Sequence, residues 1–228
     1  MQATFFQKHP LLKDILSLAS FVVAIVLCTL FLNTYIYRSY NVVGASMENT
    51  LRDEDRVIVN RAAVSWAHFL GQEYVPNRGE IIVFVDEDEE AAGKYRAEGV
   101  KNPVTCNVPS GSSSHPYIIK RVIAFPGERV VVKDGHMTIY NTEHPEGFAY
   151  DPAWQTLNES GEIVDGPKKH SSGDVDLIVP DGELFVSGDN REGQHSLDSR
   201  NGLGTIPYCR IIGPVILRLF PFDSIRTF

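Results

Sequence analysis

The chain has few cysteines, no run of basic residues and no metal-ligand spacing, and each shortage removes a class of function. There are three cysteines in 228 residues. Cys28 lies inside an apolar stretch, which leaves Cys106 and Cys209 as the only available pair, too few for a disulfide framework. No cysteine stands beside a second Cys or His at ligand spacing, and the seven histidines form no HxH or HxxxH pattern. No metal and no cofactor is therefore expected. Lys plus Arg number 21 against 29 Asp plus Glu, a formal net charge of -8, so a broad phosphate-neutralising surface is missing and nucleic acid is not an expected partner. Self-similarity at a period of 20 to 50 residues is also lacking, which excludes solenoids and propellers.

With 43% hydrophobic and 22% charged residues the chain can bury a core. Its apolar residues are unevenly spread. From Ile15 to Tyr37 no charge occurs, and as a helix this stretch is roughly 35 Å long, enough for a ~30 Å hydrocarbon layer. A cleavable signal peptide would be shorter and end in small residues, whereas this stretch runs on into Asn33, Thr34, Tyr35, Ile36 and Tyr37. Tyr35, Tyr37 and Tyr40 look like an interfacial aromatic belt, with Arg38 at the water. The expected organisation is a tail over 1-14, one transmembrane helix over 15-37 and a single domain over 38-228, with the lipid bilayer as a partner. Lys8 and Lys13 on one flank against Arg38, Arg52 and Arg56 on the other leave the orientation undecided.

Beyond the span, strand signals dominate. Arg56 to Asn60, Glu80 to Val85, Tyr117 to Ala124, Arg129 to Lys133, Met137 to Tyr140 and Glu183 to Ser187 are short β-branched or aromatic runs. They are punctuated by Asn77-Arg78-Gly79, Pro126-Gly127, Asp134-Gly135 and Pro180-Asp181-Gly182. Asp134-Gly135 between two runs signals a hairpin. The fold class is mostly β, an antiparallel sheet domain, interrupted by polar insertions at about 86-115 and 142-176.

Three features could carry chemistry. Ser46 lies in Gly44-Ala45-Ser46-Met47, soon after the span, and its small neighbours leave room for a peptide. On its own such a serine is more often a turn or helix-capping residue. Glu48 stands where a hydrolase elbow needs Gly, and no histidine is placed as a relay partner. Lys120 lies in Tyr117 to Ile123, where period two puts Ile118, Lys120 and Val122 on one face. A lysine so placed either snorkels from an edge strand or is buried with a lowered pKa. A free Lys is only about 0.04% neutral at pH 7, and a drop of roughly 3 units would make it an abundant base, able to activate a serine without histidine. The third feature is the loop from Ser187 to Arg200, so dense in Asp, Asn, Arg and Ser that these groups must satisfy one another. It reads either as a structural corner or as a device that orients an amine.

Four segments, GASMENTL around Ser46, RGEIIVF from Arg78 to Phe84, YIIKRVIAFPGE from Tyr117 to Glu128 and GDNREGQHSLDSR from Gly188 to Arg200, come in order behind one span. In this the chain resembles the bacterial type I signal peptidases over nearly its whole length apart from the two polar insertions. The resemblance implies a membrane-bound serine endopeptidase that cleaves signal peptides from exported preproteins after Ala-X-Ala. Its N-terminus would be cytoplasmic and its catalytic domain would lie outside the plasma membrane. By motif position it implies Ser46 as nucleophile and Lys120 as general base, with Ser196 orienting the lysine. Asp198 and Arg200 would form a supporting ion pair, and Gly188 would pack closely beside the lysine. Val42, Val43, Met47, Leu51 and Ile119 would line the shallow pockets that select small side chains. The chain departs from the pattern at Gly44, where some members carry a serine whose hydroxyl helps the oxyanion, and in lacking the proline before Ser46. Self-cleaving repressors, which also use Ser and Lys, would need a DNA-binding N-terminus and an Ala-Gly site before the nucleophile. Here Ala92-Gly93 follows it. A membrane-tethered β domain that only binds peptides would leave both residues inert.

Overall fold

In the computed structural model, which describes residues 10–48, 50–85, 117–150, 155–157, 163–165, 171–191 and 196–228, the uncharged stretch is helical. Helix α1 runs Pro10–Phe31 and widens into a π-helical segment, Leu32–Ile36. Pro10 occupies the first helical position, where its missing N–H costs nothing. The apolar helical stretch Leu11–Ile36 is 26 residues long and none of the described residues covers it, so its side chains are suited to lipid. The helix takes in Lys13 and Asp14, and at its other end Tyr37 already belongs to a strand.

That strand, β1 (Tyr37–Asn41), follows the helix without a linker. After it come β2 (Arg56–Asn60), helix α2 (Ala62–Phe69), β3 (Ile81–Val85), β4 (Tyr117–Ala124), β5 (Arg129–Lys133) and β6 (His136–Tyr140). Next are β7 (Gln155–Leu157), β8 (Ile163–Asp165), β9 (Val175–Ile178), β10 (Glu183–Ser187), β11 (Ile206–Pro207), β12 (Ile211–Phe220) and β13 (Arg226–Thr227). The main sheet has the order β1-β2-β12-β3-β4-β10-β11, with β13 on β12; a second sheet is β6-β5-β9, and β7 and β8 form a separate pair. Among the described residues every pairing is antiparallel. The fold is thus mostly β with one apolar N-terminal helix. Of the polar insertions, 86-115 lies outside the described residues, whereas 142-176, which follows the end of β6 at Tyr140, contributes β7, β8 and the start of β9.

Burial explains the strand sequences. The run Ile81-Ile82-Val83-Phe84-Val85 does not alternate because both its faces are covered. Ile82 and Phe84 pack with Val122, Leu184, Val186 and Ile206, while Ile81 and Val83 pack with Met47, Leu51, Val57 and Val59. A third cluster joins Ile123 and Phe185 to Val130, Val132 and Ile139 of the second sheet. Asp134 and Gly135, both at positive φ (52° and 81°), close the β5-β6 hairpin through Lys133↔His136. Ile211 to Phe220, broken in sequence by Gly213 and Pro214, is a ten-residue strand whose first half pairs with β3 and second half with β2. Its register shifts between Ile211 and Gly213, an irregularity next to which a strand tolerates proline.

Candidate active site

Ser46 sits in a turn that starts at Gly44, two residues beyond the end of β1. Gly44 takes φ +89°, a conformation that L side chains rarely adopt, and donates its N–H to Asp53 Oδ1 at 2.8 Å. The Glu48 N–H bonds back to Ala45 O at 3.1 Å and the Leu51 N–H to Met47 O at 2.8 Å. Met47 and Leu51, with no exposed surface, plug the turn into the core. The turn is anchored from below and leaves Ser46 half-buried at the surface.

Lys120 comes to it from β4. Register Ile82↔Lys120 places the lysine well inside the main sheet, where only 4% of it is exposed. Its Nζ donates to Ser46 Oγ at 2.8 Å and to Ile119 O at 2.9 Å. Among the described residues no carboxylate lies within ion-pair reach of this amine. Burial lowers its pKa from 10.5 to about 8, with the Arg200 charge acting in the same sense and Asp198 and Asp189 opposing it more weakly than burial. An amine in contact with a hydroxyl and largely stripped of solvation is equipped to take that hydroxyl's proton.

The loop after β10 supports the pair. Asp198 Oδ2 accepts Ser196 Oγ (2.6 Å), Arg200 Nη2 (2.7 Å), the Gly188 N–H (2.8 Å) and Ser187 Oγ (3.2 Å). Its Oδ1 accepts the Arg200 N–H and Nε at 3.0 and 3.1 Å. Burial alone would raise this carboxyl, but the Arg200 bonds and charge, with Ser196 and Gly188, hold it below the ordinary carboxylate value. The Ser196 hydroxyl is therefore directed at Asp198, and among the described residues the amine's acceptors are Ser46 and Ile119 O alone. A Cβ at residue 188 would collide with Ser196 Oγ and Ser46 O, so only glycine lets the loop pass this close to the serine turn.

Three residues that sequence reasoning did not single out belong to the same constellation. The Asn190 N–H donates to Ser46 O at 3.0 Å and its Nδ2 to Ala45 O at 3.1 Å, tying the serine turn to the loop. Arg121 forks onto Asp189 through Nε–Oδ1 (2.8 Å) and Nη2–Oδ2 (2.6 Å), and its Nη1 reaches Gly79 O at 2.7 Å. The available signal was adjacency: Arg121 follows Lys120, and Asp189 and Asn190 follow Gly188.

The pocket residues divide. Met47 and Leu51 are fully buried and Val42 nearly so, and a side chain without accessible surface cannot touch a bound peptide unless it moves. Their expected place in the pocket lining is corrected to a place beneath it. Val43, 87% exposed, and the half-buried Ile119 remain where a peptide would meet them. Among the described residues the Ser46 N–H has no acceptor and so is available to an oxyanion, whereas Gly44 contributes no side chain there.

A hydroxyl paired with a desolvated amine on a β scaffold is an arrangement equipped for nucleophilic hydrolysis. The sequence model described as "Signal peptidase, peptidase S26" matches residues 15–220, and the chain belongs to that family. It is 30% identical to signal peptidase I U of Bacillus subtilis (strain 168) over 220 residues, covering 96% of this chain and 94% of that one. It is 31% identical to a signal peptidase I of Bacillus licheniformis over 206 residues, covering 90% and 88%. Among solved structures, a signal peptidase I from Enterococcus faecalis V583 aligns with a TM-score of 0.36 at 22% identity, covering 61% of this chain and 96% of that one. The family assignment rests on the sequence matches.

Proposed function

We propose that this chain is a membrane-bound signal peptidase I that removes signal peptides from exported preproteins after Ala-X-Ala, with Ser46 and Lys120 as its dyad. The observation that carries the reading is the 2.8 Å contact between Lys120 Nζ and Ser46 Oγ at a buried amine. With a pKa of about 8, roughly a tenth of the amine is neutral at pH 7, some 200-fold more than for a free lysine. Neutral Lys120 takes the Ser46 proton as Oγ attacks the scissile carbonyl carbon. The oxyanion formed is met by the Ser46 N–H. The ammonium then gives its proton to the leaving nitrogen as the C–N bond breaks, which leaves an ester on Ser46. A water deprotonated by Lys120 hydrolyses that ester and regenerates the serine.

Asp198, fixed by Arg200 and Gly188, holds the Ser196 hydroxyl and sets a compensated negative charge near the amine. Selection of small residues is steric: a wall backed by the immobile Val42, Met47 and Leu51 cannot retreat, and overpacking costs about 1–3 kcal/mol. An extended substrate would also add backbone hydrogen bonds to a strand edge beside Ser46.

Residues 1-14 are placed in the cytoplasm, the apolar helix over about 15-37 across the plasma membrane, and 38-228 outside it. Ser46 follows the end of the span at Ile36 by only ten residues, at most ~33 Å of extended chain, which keeps it within that reach of the bilayer surface. The test is cleavage of a preprotein by the purified full chain in detergent. A preprotein with Ala before the cut is processed by the native chain and not by Ser46→Ala. Equal processing by the two, or equal rates with Leu in place of Ala, would refute the reading. Protease added to intact spheroplasts should reach the domain; protection until lysis would reverse the orientation.

A further inference from the structure

Two free strand edges run side by side toward Ser46. Among the described residues β1 pairs with β2 alone. On β4, Tyr117 to Arg121 pair with β3, whereas β10 joins only from Arg121 onward, which leaves Tyr117 to Lys120 with one edge unpaired. The sheet curls until these edges are neighbours: the Tyr40 and Tyr117 rings meet with centroids 4.9 Å apart, and Lys120 meets Ser46. An extended peptide presented to Ser46 lies along them.

Its direction follows from its two ends. The apolar run of a signal peptide lies in the bilayer and the scissile bond lies at Ser46, so the residues before the cut run away from the membrane, parallel to β1. Strand period two gives −1, −3 and −5 of the peptide one face, and gives Arg38, Tyr40 and Val42 one face of β1. On that strand Arg38 and Tyr40 are half-buried, whereas Tyr37, Ser39 and Asn41 are exposed. Tyr40 and Ile119 pack on the cluster that contains Val42, at the level of the small residues −1 and −3. Arg38, two residues nearer the span, stands at the level of −5.

Arg38 is prepared to meet a ligand there. Its guanidinium lies over the Tyr40 and Tyr117 rings, 5.4 and 5.5 Å from their centroids. Stacking of this kind orients the group and leaves its in-plane N–H donors free, a fork that fits a carboxylate. Among the described residues no carboxylate is paired with it. The buried Tyr40 Oη also lacks a hydrogen-bond partner among them, so this end of the groove holds polar groups that the fold itself does not satisfy.

We propose that Arg38 reads the side chain five residues before the cut and favours a carboxylate there, which makes this chain selective for signal peptides with an acidic residue at −5. The proposal rests on the reading of Ser46 as the nucleophile that cuts after Ala-X-Ala.

The test uses the purified full chain in neutral detergent and peptides with Ala at −3 and −1 and Glu, Gln or Lys at −5. Glu should give the lowest KM and a kcat/KM roughly tenfold above Lys, with Gln between, as for one charge-assisted contact. Glu at −4, on the other face, should give no gain over Gln. Arg38→Gln should abolish the order while cleaving the Gln peptide as the native chain does, and Arg38→Glu should invert it. Equal rates on the three peptides, an order that survives Arg38→Gln, or an equal loss on all three in that variant would overturn the proposal and leave the cleavage reading standing. Cleavage of none of them, or the same cleavage by Ser46→Ala, would overturn both. If Arg38→Gln slows all three alike and only in phosphatidylglycerol vesicles, the guanidinium serves lipid headgroups and the proposal falls.

Discussion

Lys120 and Arg121 are consecutive cations on β4, 4% and 8% exposed, and they are treated in opposite ways because successive side chains leave a strand on opposite faces. Arg121 meets a fully buried carboxylate, Asp189, with two near-parallel bonds, and a backbone carbonyl takes a third. Lys120 meets a hydroxyl and a carbonyl. The carboxylate nearest in influence, Asp198, is already claimed by Arg200. A buried cation given its counter-ion is structural, since removing either partner strands the other. A buried cation denied one can lose its proton near neutrality, which is a liability to folding and a requirement for a base. Two adjacent residues thus separate structure from chemistry.

The sharpest way to break this comparison is to remove each cation in turn. Lys120→Met keeps the apolar stem and removes the amine, so processing should fall by about 10⁴-fold or more, above ~5 kcal/mol in the barrier. Stability by denaturant titration at pH 7 should hold or rise. Ser46→Ala should be equally inactive and the double variant no worse than either single one, since the two act as a unit. Substantial residual cleavage, or marked destabilisation by Lys120→Met, would make the lysine another structural cation.

Arg121→Met should do the reverse, losing about 3–5 kcal/mol of stability because Asp189 is left charged and buried. Restoring balance with Asp189→Leu should recover much of it. If Arg121→Met is as stable as the native chain, the two cations do not differ in kind.

The pH dependence of stability comes next. The folded pKa of Lys120 lies near 8, below its ordinary 10.5, so between these values the unfolded chain holds more protons than the folded one. Stability therefore rises with pH from about 8 to about 10.5, by up to on the order of 3 kcal/mol. The rise should appear as the difference between the native chain and Lys120→Met; parallel curves would mean an unperturbed amine.

Smaller effects belong to the loop that backs the pair. Gly188→Ala must push apart Ser196 and the serine turn, costing about 1–3 kcal/mol of stability together with activity. Asn190→Ala removes the side-chain bond to Ala45 O and leaves the backbone bond to Ser46 O, so about 1 kcal/mol of loss is expected. A kcat fall much larger than the stability change would mean that the side chain also meets the substrate.

Much of the fold was legible because it is written in short periods and composition. A strand's pattern needs only five residues, and Tyr117 to Ala124, Arg129 to Lys133 and Glu183 to Ser187 fall where the β-branched runs lie. The hairpin at Asp134-Gly135 follows from two residues that tolerate positive φ. Strand β1 was hidden because its tyrosines also fit a membrane boundary, and β12 because Gly213 and Pro214 interrupt an otherwise clear run.

The sequence by itself determined the span, the β class and the four motif segments, since hydrocarbon thickness, strand period and local residue order are properties of contiguous chain. Tertiary structure alone decided that Lys120 touches Ser46 across 74 residues of chain, that Asp198 claims the Ser196 hydroxyl, and that Met47 and Leu51 lie under the site. It also decided that Asn190 ties down the serine turn and that α2 turns Trp66 outward at the end of the span. Each of these depends on which strands become neighbours and on what is left exposed when the sheet is complete, and burial, which sets the lysine's pKa, exists only once the chain has closed around it.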